Sequence, residues 1–371
     1  MKIRTALLVL ALSCALPLVA CNRSEVAAPE LPPGDSFTPD GCIQGAFNPY
    51  WGVLHAHTSY SDGELTPADA FAYGRQEGKL DILVITDHNE MLYLPIPVAE
   101  KWEKCREQAE AAYEPGSFLA DCGLEYGSGF TLPCFESTGH NNVFFTEEMF
   151  PIIQLDFHQF YQSLVDCPGC IGQFNHPGDP TNLNWNGFEY FADVDARMNL
   201  FEFNSDPAWD LFFEALDAGW HVSPMNNQDN HGADWGTRNG DRSGFYLSEL
   251  TRDDLHEAML ARRSFMSYDA NAAIRMTSFG KCWMGSILSG ALPASLTVEV
   301  EAFDLDAGDG FTTLEIYGPG KELLTSHDCG GAEACSAAFE LDAPAKTYFV
   351  AVAAQADGDW LVAAPIWVEP E

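Results

Sequence analysis

The sequence predicts an α/β layer or barrel followed by a small antiparallel β domain, on three observations. Between about Cys42 and Gly285 short apolar runs alternate with helical stretches, the pattern of strands covered by helices. After Gly285 the apolar period changes to two and no helical period returns. The 371 residues are 46% hydrophobic, with 25 Phe, 12 Tyr and 9 Trp. That supplies a well-buried core and, at roughly 100–200 residues per domain, material for about two domains.

The chain opens with Lys2 and Arg4, an apolar run over 6–18, and Leu18-Val19-Ala20-Cys21. A charged start, a short apolar stretch and small residues before a break make a secretory signal over 1–20. The run is too short to span a membrane comfortably. Leu18-Val19-Ala20-Cys21 resembles the lipobox of bacterial lipoproteins. That resemblance implies cleavage before Cys21 and a lipid on its sulfur, and Asn22 next to it favours the outer membrane. The expected address is therefore the cell envelope, facing the periplasm or the exterior. Residues 21–41, with Pro29, Pro32, Pro33 and Pro39, read as a semi-extended tether.

A folded domain over 42–285 begins with a strand at 50–55. Thr66 then caps a helix with Pro67 in its first turn and Gly78 at its end. The continuous apolar run 81–86 suits a strand buried on both faces. Further helices are expected at 97–113, 156–166, 207–218 and 251–262, the last with Thr251 and Asp254 in capping-box spacing. Strands fall between them at 170–174, 199–203 and 221–225. Over 286–371, alternation at 295–302, 312–317 and 347–354 predicts an antiparallel, sandwich-like domain.

Nine cysteines follow Cys21. In an oxidising compartment most should pair, and the odd number leaves at least one over. Cys329–Cys335 is the first pair expected, with Cys105–Cys122 and Cys167–Cys170 after it. The spacing Cys167-Pro168-Gly169-Cys170 also suits a redox motif, but a structural disulfide is the preferred reading.

Eighteen basic against 55 acidic side chains give a formal charge of −37. Such a field repels phosphate backbones, which argues against binding to nucleic-acid duplexes, and it favours divalent cations. Metal-ligating residue types gather at expected strand ends: His55-Ala56-His57, Asp62-Gly63, Thr86-Asp87-His88, Glu136, His140, His176-Pro177 and Asp229-Asn230-His231. Alternate residues of a strand share a face, so His55 and His57 can reach one ion. A lone histidine at a strand end is more often structural. Six of the ten, most beside a carboxylate, point to a metal centre.

In order and approximate spacing these motifs resemble the PHP family, named for polymerase and histidinol phosphatase, over roughly residues 48–282. Within it the chain is most similar to a secreted bacterial lipoprotein branch. Gln228 departs from the Ser that often precedes the Asp229 position. The resemblance implies a distorted (β/α)7 barrel holding two or three divalent ions (Zn, Mn or Fe). It implies that His55, His57, Glu136 and Asp229 hold the first ion. Glu136 would bridge to a second ion with His140 and His176, and Asp62, His88 and His231 would hold a third.

Asp87, Arg238 and Arg242 complete the candidate catalytic set. Asp87 is expected to orient a ligand, or alternatively to cap a turn. Arg238 and Arg242 are expected to fork onto phosphate, or alternatively to form salt bridges. Trp185 could stack on a sugar or base, though burial under a loop is the plainer reading. The expected activity is hydrolysis of a phosphate mono- or diester, since a multi-metal site activates water and clamps phosphoryl oxygens. The substrate would be a small or envelope-derived phosphoester. Two alternatives remain: a metal-dependent hydrolase of a non-phosphate ester or amide, and an envelope binding module with structural metals.

Overall fold

A computed structural model describes residues 37–93, 100–127, 139–151, 157–179, 184–205, 207–343 and 345–370. The leader, Cys21 and most of the tether lie outside the described residues, as do Cys134 and Glu136. Gly34–Glu371 forms one compact unit.

The first half runs β1 (Asn48–Val53), α1 (Pro67–Gln76), β2 (Ile82–Ile85), α2 (Asn89–Leu92), α3 (Glu100–Ala112), β3 (Leu119–Cys122) and β4 (Leu124–Tyr126). It continues with β5 (Asn141–Phe144), α4 (Phe157–Val165), β6 (Ile171–Phe174), α5 (Asn184–Phe188), β7 (Met198–Glu202), α6 (Ala208–Ala218) and β8 (Ser223–Met225). α5 is a left-handed turn rather than a regular helix. The cap expected for α1 is present in full: Thr66 Oγ1 accepts from Asp69 N while Asp69 Oδ2 accepts from Thr66 N. β2 is buried at all four residues, as its uninterrupted apolar run requires. β1, β2 and β3 pair in parallel, and so do β6, β7 and β8.

The second half contains β9 (Arg242–Leu247), α7 (Arg252–Leu260), β10 (Ser264–Ser267), β11 (Ala273–Ser278), β12 (Cys282–Trp283), β13 (Ile287–Gly290) and β14 (Ser295–Phe303). β15 (Phe311–Gly318), β16 (Glu322–Ala332), β17 (Ala334–Asp342), β18 (Thr347–Gln355), β19 (Trp360–Ala363) and β20 (Ile366–Pro370) complete it. β14 buries alternate residues, as its period-two pattern predicts.

The eight strands from β1 to β8 lie in two sheets that bridges join on both sides. An eleven-stranded sheet contains β1 to β3, a five-stranded sheet holds β4 to β8, and isolated parallel bridges at Ala56–Asn230 and His88–Glu125 join the two. Sheets and core also run across the 285/286 position. β10 pairs with β19 and β11 with β14, so sheets cross that boundary, and Trp51, Tyr246 and Phe265 share a core with Val298, Leu314 and Phe349. The cause is β-sheet edges: β10 and β11 each leave an open edge that the C-terminal strands complete.

The three expected disulfides are present, and a fourth, Cys42–Cys282, closes a loop of 240 residues. No helix among the described residues is long and apolar enough to cross a membrane.

Candidate metal centre

The ligands converge because the two bridges hold strand ends side by side. His57 N donates to Asn230 O and Thr86 N to Ala56 O. With Ala56 opposite Asn230, the flanking residues His55, His57, Asp229 and His231 fall on the other face of the paired segments. The His57 and His231 rings accordingly stack with centroids 4.1 Å apart. The second bridge sets His88 beside Glu125. Asp229 at φ 41° and His176 at φ 31° adopt backbone that non-glycine residues avoid, a strain typical of functional sites.

Glu125 is the hub. Its carboxylate is 1% exposed and lies 3.4 Å from His55 Nε2, 3.2 Å from His57 Nε2, 3.1 Å from His88 Nδ1, 3.1 Å from His140 Nδ1 and 3.2 Å from His176 Nε2. Asp229 Oδ1 is 3.3 Å from His55 Nε2 and 3.2 Å from His57 Nε2. Asp62 lies 3.3 Å from His231, and 3.7 Å from each of His57 and His88. Every histidine and aspartate expected as a ligand is therefore brought together. Glu136 lies outside the described residues, and Glu125 stands where a bridging carboxylate was expected. Glu125 sits in the middle of β4, between Leu124 and Tyr126, and no local sequence pattern marks it.

Three overlapping groups have the donor geometry to hold an ion: His55, His57, Glu125 and Asp229; His57, Asp62, His88 and His231; and His88, Glu125 and His140. Hydrogen bonding alone does not satisfy this arrangement. A carboxylate offers about four lone-pair positions, fewer than five imidazoles would need. His55 Nε2 and His57 Nε2 face each other at 3.3 Å, and Asp229 Oδ1 and His88 Nδ1 are buried without a well-aligned hydrogen bond. Imidazole and carboxylate donors turned towards common points suit divalent metal ions.

Electrostatics of the protein alone agree. Burial opposes a charged His57, but hydrogen bonds to Asp229 and Glu125 outweigh it and raise its pKa to about 9. His88 is pushed down to about 4, by burial first and by His57 and His140 against the pull of Glu125. Burial opposes ionisation of Glu125 and Asp229 as well, yet the surrounding histidines hold both carboxyls below their usual range. Both carboxylates thus stay ionised at the centre.

Supporting residues fix these donors. Glu202, fully buried, lies 2.8 Å from His55 Nδ1 and accepts from His176 N at 2.7 Å. Holding a proton on Nδ1 leaves Nε2 of His55 free to ligate. Asp87 accepts from Thr58 N and Oγ1 and from Ser61 N and Oγ, and Ser61 Oγ lies 3.2 Å from His57 Nδ1. It therefore orders the loop behind His57, and burial raises its pKa against those hydrogen bonds. Gly63 is required next to Asp62 because a Cβ there would lie 2.7 Å from the His57 backbone.

A cavity of about 450 Å³ opens over the centre, lined by ligands together with Gly178, Asp179, Asn204 and Ser205. No described lysine or arginine lines it. Arg242 is buried and donates to the carbonyls of Gly236, Asn239 and Asp241, so it folds its own loop and does not face an anion, a correction to the expected role. Arg238 is exposed on that loop, with Nη1 donating to Asn230 Oδ1 at 3.4 Å, and does not line the cavity. Gln228 fastens the same loop through Asn239 and Gly236. Trp185 is fully buried and packs its ring where a Cβ at Gly139 would sit, which excludes the stacking role.

No protein-family model matches the chain, and no curated protein matches it. Among solved structures, it is similar to a two-domain protein from Bacteroides vulgatus containing a predicted PHP-like metal-dependent phosphoesterase. That likeness has 15% identity and a TM-score of 0.47, over 85% of this chain and 92% of that one. It is also similar to the lesion-specific endonuclease PfuEndoQ from Pyrococcus furiosus, at 15% identity and a TM-score of 0.40, over 57% of this chain and 56% of that one.

Proposed function

We propose that the chain is a metal-dependent phosphoesterase that hydrolyses a phosphate mono- or diester with two or three divalent ions. The observation that carries this reading is the convergence of five histidines on Glu125, with Asp62 and Asp229 closing the two outer groups. The order of the motifs, which resembles the PHP family, supports it. Ions bound there would lower the pKa of water to near 7 and polarise phosphoryl oxygens. Glu125, Asp62, Asp229 and the histidines would hold them, while Glu202 and Asp87 keep His55 and His57 in a ligating orientation. With no described cationic side chain lining the cavity, charge neutralisation of a phosphate would fall to the metal centre.

That same lack favours one second reading, a metal-dependent hydrolase of an uncharged ester or amide. One experiment separates them: chelator-treated protein reloaded with Mn, Zn or Fe and offered phosphomonoester, phosphodiester and carboxylester reporters. Metal-restored turnover of a phosphoester supports the proposal. Turnover confined to the carboxylester establishes the second reading, and none with any metal sinks both.

The proposed address is the bacterial cell envelope, through a lipid on Cys21. The lipobox-like stretch supports it, as do four disulfides, which suit an oxidising compartment. Cys21→Ser should release the protein from membrane fractions or leave its leader uncleaved. A wild-type chain already soluble would contradict it.

A further inference from the structure

A second cluster of carboxylates lies away from the histidines. Asp269 follows β10, Asp304 follows β14 and Asp309 precedes β15, and one oxygen from each falls within 4.8 Å of the others. Asp269 is 9% exposed. None of the three forms an ion pair with a lysine or arginine among the described residues.

Acidic clusters are common on a chain of this charge, so the neighbouring Gln355 is the telling residue. It ends β18, is 4% exposed, and its Nε2 donates to Asp304 Oδ2 at 2.6 Å. Oε1 belongs to the same amide and so lies within about 5 Å of that carboxylate oxygen. Oε1 is buried and has no hydrogen-bond partner. A buried carbonyl oxygen without a donor is costly, and this one shares its amide with the group that bonds Asp304. A cation would satisfy all four groups at once.

We infer that Asp269, Asp304, Asp309 and the Gln355 carbonyl form a calcium site separate from the histidine centre. The donors are all oxygen, which selects a hard cation over Zn. Ca²⁺ accepts a flexible shell of carboxylate and carbonyl oxygens, whereas Mg²⁺ demands a near-ideal octahedron and keeps several waters. Its ligands come from both sides of the 285/286 junction, so the ion would tie the loop after β10 to the C-terminal hairpins.

The test titrates Ca²⁺ into full-length protein whose histidine centre is already loaded with Mn or Zn, followed by calorimetry and thermal melting. One equivalent should bind, with Kd on the order of 10⁻⁴–10⁻³ M as in extracellular calcium modules, and Tm should rise. The double variant Asp304→Asn/Asp309→Asn should lose both responses, while His231→Ala keeps them. No binding by wild type up to about 10 mM, or an equal Tm rise in wild type and double variant, overturns the site. Should the variant fail to fold, a calcium-soaked crystal of the wild type decides. Density bounded by Asp269, Asp304 and Asp309 supports the site, and its absence overturns it.

Discussion

Glu202 does not line the cavity over the centre, yet it sets which nitrogen of His55 faces the ions. Replacing it by Gln keeps the volume and removes the charge that favours a proton on Nδ1. Glu202→Gln should therefore lower metal affinity or activity about 10–100-fold, the usual effect of a partner that orients a ligand, with the fold intact. Metal-binding calorimetry together with far-UV circular dichroism checks this. Unchanged affinity would mean that His55 is oriented by something else. Most ligands were legible because each ends a strand beside another polar residue, as in His55-Ala56-His57. Glu125 and Glu202 were not, since a lone acid in the middle or at the end of a buried strand has no local pattern to mark it. Their partners, His88 and His176 for one and His55 for the other, are distant in sequence.

Helices were read well where local chemistry decides them. α1 and α7 carry their Thr66 and Thr251 caps, and α3, α4 and α6 lie within a few residues of the expected spans. β3 and β4 escaped because Asp121, Cys122 and Gly123 interrupt the apolar run, although pairing with β2 and β5 fixes them. One contact between elements also gives a pH dependence. His221, just before β8, lies 2.7 Å from Asp195 and 3.1 Å from Glu369 of β20. Burial disfavours ionised Asp195, but His221 wins and lowers its pKa. Burial likewise opposes ionised Glu369, and Lys346 with His221 lowers it. Carboxyls with lowered folded pKa values stabilise the protein above their unfolded values, near 4, and that stability is lost as pH falls through the folded values. Melting curves from pH 7 to 3 should therefore fall more steeply for wild type than for His221→Leu. Parallel curves would remove this contact from the acid response.

Gly34–Glu371 forms one compact body because the C-terminal strands finish sheets that the first half begins. Trp367 packs on His221, and Trp360 on Trp209. The period-two pattern after Gly285 was legible, but pairing across that point was not, since sheet edges leave no mark on composition. Deletion after Gly285 would strip β19 from β10 and uncover Trp51, Tyr246 and Phe265. Such a chain should be insoluble and protease-sensitive. A soluble, cooperatively melting fragment of residues 42–285 would show that the shared core is dispensable. The claim that most needs testing is the centre itself, with Glu125 as its hub. Anomalous diffraction from crystals grown with Mn or Zn is the direct measurement. The account predicts two or three peaks, at least one bridged by Glu125 and within ligand distance of His55, His57 or Asp229. Crystals with clear metal peaks elsewhere and none touching Glu125 would contradict it.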